Sequence, residues 1–249
     1  MYDLGLRSYA EALSFQREVA AKRISKEIAQ DVLLLVEHPP VITLGRSTKR
    51  ENLLFTPELL TARGVEHFEV ERGGDVTFHG PGQLVGYPIV DLNEHKLDLH
   101  WYLRQVEEVL IRAVANFGIV AERVEKKTGI WTQPVYDPTD VALPDGADVP
   151  TPIRAARKLA SIGVHARQWV TWHGFALNVT TDLSYFDLMV PCGLPGVDMT
   201  SVERELLERS DAGLCLAPSP TLGEDVREAT VAAFADVFER RPVVVDRLP

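Results

Sequence analysis

A cysteine held between a proline and a glycine is the residue of this sequence best placed to react. Cys192 lies in Val190-Pro-Cys-Gly-Leu-Pro-Gly196, a rigid turn that leaves little side chain around the thiol. The other cysteine, Cys215, sits in the apolar run Gly-Leu-Cys-Leu-Ala, a setting typical of an inert thiol. Only the thiolate is a good nucleophile, and an ordinary thiol, titrating at about 8.5, is a few per cent ionised at neutral pH. A nearby cation would raise that fraction. Lys158, in Arg157-Lys-Leu-Ala-Ser-Ile-Gly-Val-His165, is unusual among apolar strand-forming residues. An isolated lysine of that kind commonly snorkels to water. Placed at about 4 Å with an effective dielectric near 20, its ammonium favours the thiolate by roughly 4 kcal/mol before desolvation costs. His173 or His79 would serve equally in a Cys-His pair, and spacing alone does not choose among the three.

A third stretch, Arg72-Gly-Gly-Asp-Val-Thr-Phe-His-Gly-Pro-Gly-Gln83, mixes glycines with Arg, Asp, Thr, His and Gln. Its glycines let a backbone turn tightly or approach a ligand closely. It lacks the lysine of a phosphate loop and the spacing of a dinucleotide fingerprint.

These residues need elements to carry them. Ser8 with Glu11 forms a capping-box pattern that opens a helix over residues 8–28. Residues 31–37 read as a buried strand stopped by Pro39-Pro40, with a second short strand at 41–44. Residues 46–60 are polar and loop-like, with one helical turn after Thr56-Pro57. Residues 68–71 and 75–78 alternate around Gly73-Gly74, a hairpin signal. A strand at 84–92 and a long helix from Asp98 to Gly118 follow, the latter on spacings of three and four. Short strands are expected at 119–124 and 128–132, and paired strands at 158–165 and 171–180. Thr221 with Glu224 suggests a second capping box opening a helix to about residue 239, and a short strand at 243–245 closes the chain. Strands come in runs with helices between them. This predicts an α/β fold of the α+β type, a mixed, largely antiparallel sheet with flanking helices, and not a doubly wound nucleotide fold.

The 249 residues read as a single domain, 1–249, with a Pro, Asp and Gly-rich surface excursion at about 133–152. A net charge of −10 argues against nucleic acid as a general partner. Two thiols make no disulfide framework, and the first twenty residues lack a signal-peptide pattern. No aliphatic run near the N-terminus is long enough to span a bilayer. These features predict a cytoplasmic protein with no membrane partner.

The three unusual motifs occur in one order: Arg72-Gly-Gly-Asp-Val-Thr-Phe-His-Gly-Pro-Gly-Gln, then Lys158-Leu-Ala-Ser-Ile-Gly-Val, then Pro191-Cys-Gly. Together they resemble the octanoyl-carrier-protein:protein octanoyltransferases of lipoate biosynthesis, from Leu33 to Ser201. The resemblance implies a fold like that of the biotin and lipoate protein ligases. It implies Cys192 as acyl-accepting nucleophile and Lys158 as the group that lowers its pKa and acts as general acid and base. It implies acyl binding by Arg72, Gly73, Gly74, Asp75, Val76, Thr77, Phe78 and His79, by Ser161, Ile162 and Gly163, and by Gly174, Phe175 and Ala176. The donor would be octanoyl-acyl carrier protein. The acceptors would be lipoyl domains of 2-oxoacid dehydrogenase complexes and the glycine-cleavage H protein. No cofactor and no metal is expected, because the acyl group arrives activated. Gly193 and Gly163 are candidate oxyanion donors, and Arg46, Lys49, Arg50, Arg72, Lys126, Lys127, Arg154 and Arg157 candidate members of a basic rim. The stretch between Trp131 and Arg157 is longer than the family pattern. Three other readings compete: an ATP-dependent lipoate or biotin ligase, a cysteine hydrolase using Cys192 and His173, and a non-catalytic module that binds acyl-carrier or lipoyl domains.

Overall fold

The computed structural model describes residues 1–135, 152–213, 215 and 217–245. Most of the 133–152 excursion therefore lies outside the described residues. The chain begins with β1 (Tyr2–Leu6), α1 (Tyr9–Ile24), β2 (Val32–Glu37) and β3 (Val41–Leu44). Then come α2 (Pro57–Ala62), β4 (Glu66–Glu69), β5 (Val76–His79) and β6 (Gln83–Ile89). The helix α3 (Leu99–Ala115) leads to β7 (Ala121–Glu122), β8 (Ile130–Thr132), β9 (Lys158–Arg167) and β10 (Val170–Asn178). Two helices, α4 (Val202–Asp211) and α5 (Leu222–Val237), follow. Among the described residues, no helix is long and apolar enough to cross a membrane.

The large sheet runs β1-β2-β6-β10-β9-β8-β7. Its pairings are antiparallel except for β1 with β2. A small sheet runs β4-β3-β5, with β4 parallel and β5 antiparallel to β3. The expected mixed, largely antiparallel sheet is therefore present. Alternation along the strands sends Leu33, Leu35, Phe175 and Leu177 to one face, under Val106, Leu110 and Phe234 of α3 and α5. Leu34, Val36, Tyr87 and Ala176 face the other way, under Ala12, Val19 and Ala20 of α1. The small sheet packs on the segment around Phe186, Leu188 and Met189.

Local details depart from the sequence reading. The hairpin around Gly73-Gly74 does not form: β4 and β5 both pair with β3, which lies between them. The 72–74 loop instead bonds outward, with Arg46 N–H donating to Arg72 O (3.0 Å) and Gly73 N–H to Val164 O (2.9 Å). Helix α1 stops at Ile24, because Lys26 takes a left-handed backbone (φ 65°). Thr221 makes no cap with its side chain and donates to Asp225 Oδ2 (2.9 Å). Residues 243–245 form no strand, although Val245 N–H donates to Met1 O (3.1 Å). Strand β1 and helix α4 were not foreseen.

Candidate active site

Lys158 opens β9 and is 1% exposed. Its backbone is bonded on both sides: its N–H donates to Asp198 O (2.8 Å), and its carbonyl accepts from Thr200 N–H (2.9 Å). Residues 198–200 follow the cysteine turn closely, so the turn and the lysine share one ladder. The side chain runs past Gly129, where a Cβ would lie 2.9 Å from Lys158 Cε and overlap Ala160 O. Only glycine leaves that path open. The ammonium ends 5.4 Å from the ring centroid of Trp131 and donates to Cys192 Sγ at 2.9 Å.

Cys192 sits in the turn Pro191–Gly193 with φ 56° and ψ 20°. An L-residue in that left-handed region costs roughly 1–2 kcal/mol, which the surroundings must offset. Pro191 fixes the entry, and Gly193 (φ 66°) continues the left-handed path. Val190 N–H donates to Asn52 O (2.8 Å), and Gly193 N–H donates to Val190 O (2.9 Å). Gly193 is therefore not a free oxyanion donor.

Burial alone pushes the Cys192 thiol up. The Lys158 ammonium and its hydrogen bond, the Ser161 hydroxyl 3.6 Å away and the Arg72 charge pull it down further, leaving it below the ordinary thiol value. Of the three partners open at the level of sequence, Lys158 is the one in contact with the sulfur. His79 is buried, its Nδ1–H donating to Gln83 Oε1 (2.9 Å), and burial holds its pKa well below the ordinary value. His173 faces Glu71, 3.8 Å from Nε2 to Oε2, and burial lowers its pKa too. Both shifts favour the neutral ring.

The pair lies in a cavity of about 480 Å³. Ordinary small-molecule sites span about 300–1,000 Å³. Arg72, Gly73, Gly74, Asp75, Thr77 and His79 line it, as do Ser161, Ile162, Gly163, Gly174, Phe175 and Ala176. Val76 and Phe78 do not; the period of two in β5 turns them into the small-sheet core, where Phe78 stacks on Tyr185 at 4.5 Å. Glycines let the walls of the cavity approach one another closely: a Cβ on Gly163 would lie 2.8 Å from Gly73 O, and one on Gly174 2.6 Å from Pro88 Cδ. Arg72 is buried, donating to Thr43 O (2.7 Å) and Thr43 Oγ1 (2.9 Å), so it builds the wall of the cavity.

Sequence reasoning missed Tyr9, Tyr87, Leu99 and Leu103 in the lining, and Asn52 and Trp131 behind the pair. The aromatic and aliphatic residues carried only a core-packing pattern, and Asn52 lay in an aperiodic polar loop. The expected basic rim is partly dissolved. Arg154 and Arg157 are ion-paired with Glu205 and Glu208, and Arg72 is internal. Lys126 and Lys127 do line the cavity, and Arg46, Lys49 and Arg50 are exposed.

Residues 8–217 match the family model of the lipoyl protein ligase A/B catalytic domain. A protein of Acidobacterium capsulatum named octanoyltransferase is 48% identical over 242 residues, covering 94% of this chain and 88% of its own. This chain belongs to the octanoyltransferase family. It is an acyltransferase. An octanoyltransferase of Nostoc sp. is 40% identical over 96% of this chain and 91% of its own. The fold extends further than the sequence likeness. A bipartite lipoate protein ligase of Thermoplasma acidophilum superposes with a TM-score of 0.62 at 15% identity, covering 98% of this chain and 86% of its own.

Proposed function

We propose that this enzyme moves an octanoyl group from octanoyl-acyl carrier protein, through a thioester on Cys192, to a lysine of lipoyl domains in lipoate biosynthesis. The octanoyltransferase relatives support the acyl group, and the lipoate-ligase relatives support lipoyl domains as acceptors. The observation that carries the reading is the Lys158 Nζ to Cys192 Sγ contact of 2.9 Å at the wall of the cavity.

The thiolate of Cys192 attacks the thioester carbonyl of the donor. The tetrahedral intermediate collapses, the bond to the carrier's thiol breaks, and Lys158 gives that thiol its proton. One thioester replaces another, so the step is near thermoneutral. The ε-amine of the acceptor lysine then attacks the acyl-enzyme. Lys158, now neutral, takes a proton from the incoming nitrogen, and Cys192 leaves as thiolate beside the regenerated ammonium. An amide replaces a thioester, which drives the second step. Burial of six methylenes at about 0.8 kcal/mol each contributes roughly 5 kcal/mol to holding the chain. Glycines 73, 74, 163 and 174 line the cavity that would take it.

Intact-protein mass spectrometry after brief incubation with octanoyl-carrier protein, without ATP or acceptor, tests this. The expected product carries one octanoyl group on Cys192 that hydroxylamine removes. An unmodified chain that transfers free acid only with ATP would instead make it a ligase.

A further inference from the structure

The cysteine turn is tied to two distant segments through one residue, Asn52, whose backbone and side chain each make a bond and which no motif of the sequence singles out. Asn52 closes the one-turn helix Arg50–Asn52 and is 9% exposed. Its backbone carbonyl accepts from Val190 N–H (2.8 Å), two residues before Cys192. Beyond that bond the same antiparallel run continues, with Leu53 bridging Met189 and Leu54 N–H donating to Leu188 O (3.1 Å). Its Nδ2 donates to Asp75 Oδ2 at 2.6 Å, while Asp75 Oδ1 accepts from Val76 N–H at 2.7 Å. Both oxygens of Asp75 are thus fixed. A Cβ on Gly193 would overlap Asp75 Oδ2 and lie 2.9 Å from Asn52 Nδ2. The carboxylate and the amide together fill the space a side chain would need on the residue that follows the nucleophile.

We infer that Asn52 is a positioning residue: with Asp75 it clamps Gly193 and holds Cys192 in its left-handed conformation, with the sulfur facing Lys158. This rests on the reading of Cys192 as the acyl acceptor. A single hydrogen bond acts at a distance here because the turn is short and unfavourable for an L-residue. Relaxation of Cys192 towards ordinary dihedrals swings Sγ off the ammonium, which weakens the thiolate. The clamp is also specific in its donors. Asn52 must give a proton, because an ionised Asp75 can only accept.

The clamp is tested by exchanging its two ends. Asn52→Asp alone sets two carboxylates against each other. It is expected to slow single-turnover octanoylation of Cys192 roughly 10- to 100-fold at saturating donor. It is also expected to move the pH profile of Cys192 alkylation by iodoacetamide upward, measured in a Cys215→Ser background. Asn52→Asp with Asp75→Asn restores one carboxylate and one amide in exchanged positions, and both readouts are expected to return to within about threefold of the parent. A residue needed only for folding would not show rescue in an alkylation pH profile. Octanoylation by Asn52→Asp at the parent's rate, or a double variant no better than the single one, overturns the proposal. Alkylation needs no acyl donor, so the two readings separate. If the parent takes no octanoyl group while the alkylation profile follows the exchange, the donor assignment fails and the clamp stands.

Discussion

Removing Lys158 leaves Cys192 with its burial and without its nearest cation. Burial pushes a thiol up, so the Lys158→Ala variant should titrate above the parent, whose thiol lies below the ordinary value. The reactive thiolate should then persist in the parent to lower pH than in the variant. Rates of Cys192 alkylation against pH check this, with both half-reactions of transfer expected to slow in parallel. An unshifted profile would remove the lysine from its role. Cys215 supplies an internal control, since its sulfur donates to Leu206 O (3.5 Å) and does not line the cavity. At this scale the sequence singled out the two side chains that meet but was silent on their contact. Proline and glycine around Cys192 announced a presented thiol. Lys158 and Cys192 stand 34 positions apart, and only the ladder through residues 198–200 brings them together. Asn52 escaped notice because its role depends on Asp75 and Gly193, which no local pattern connects to it.

Helix α4 is the element that anchors the start of β9. Thr200 Oγ1 donates to Glu205 Oε1 (2.7 Å), and the buried Arg157 pairs with both Glu205 and Glu208. Asn178 Nδ2 donates to Thr200 O (3.0 Å), which extends the network to β10. Removing Glu205 leaves Arg157 held by Glu208 alone and the buried Thr200 hydroxyl without its acceptor. Glu205→Ala is therefore expected to destabilise the fold by about 1–3 kcal/mol, read by denaturant unfolding, and to loosen Lys158 next to it. Loss of under about 1 kcal/mol would show the pair to be solvated and unimportant. Element-level legibility was uneven for physical reasons. The paired strands β9 and β10 and the long helix α3 have strong periods and clear ends. The supposed hairpin at 68–78 failed because alternation reports a strand's exposure, not its partner, and β3 had been inserted between the two. Helix α4 was overlooked although Ser201 caps it through Arg204 N–H (3.1 Å).

At the scale of the molecule, buried neutral histidines set the acid limit of stability. His38 is fully buried, its ring bonded to Arg7 O (2.8 Å) and the Tyr87 hydroxyl (2.7 Å), and burial lowers its pKa to about 4. Between that value and the ordinary 6.5 the unfolded chain binds the proton and the folded chain does not. Stability therefore falls as pH drops through this window, by roughly 3 kcal/mol for this ring alone. His79 and His173 are depressed in the same direction. Unfolding free energies at pH 7 and pH 5 should show the decline, and His38→Gln should flatten it. Equal slopes in parent and variant would exclude His38 as a cause.

Val135 N–H donates to Arg154 O (2.8 Å), and Arg154 N–H donates to Val135 O (3.2 Å). Just inside them, Thr132 N–H bonds to Arg157 O (2.8 Å) and Arg157 N–H to Thr132 Oγ1 (3.0 Å). The chain thus departs from and returns to one closed doorway ahead of Lys158. The two ends of any segment joining 135 to 154 are held together there, and each doubling of loop length costs only about 0.6 kcal/mol of closure entropy. The doorway is thus a socket: a reporter peptide spliced between those ends is expected to cost little stability, which denaturant unfolding would check.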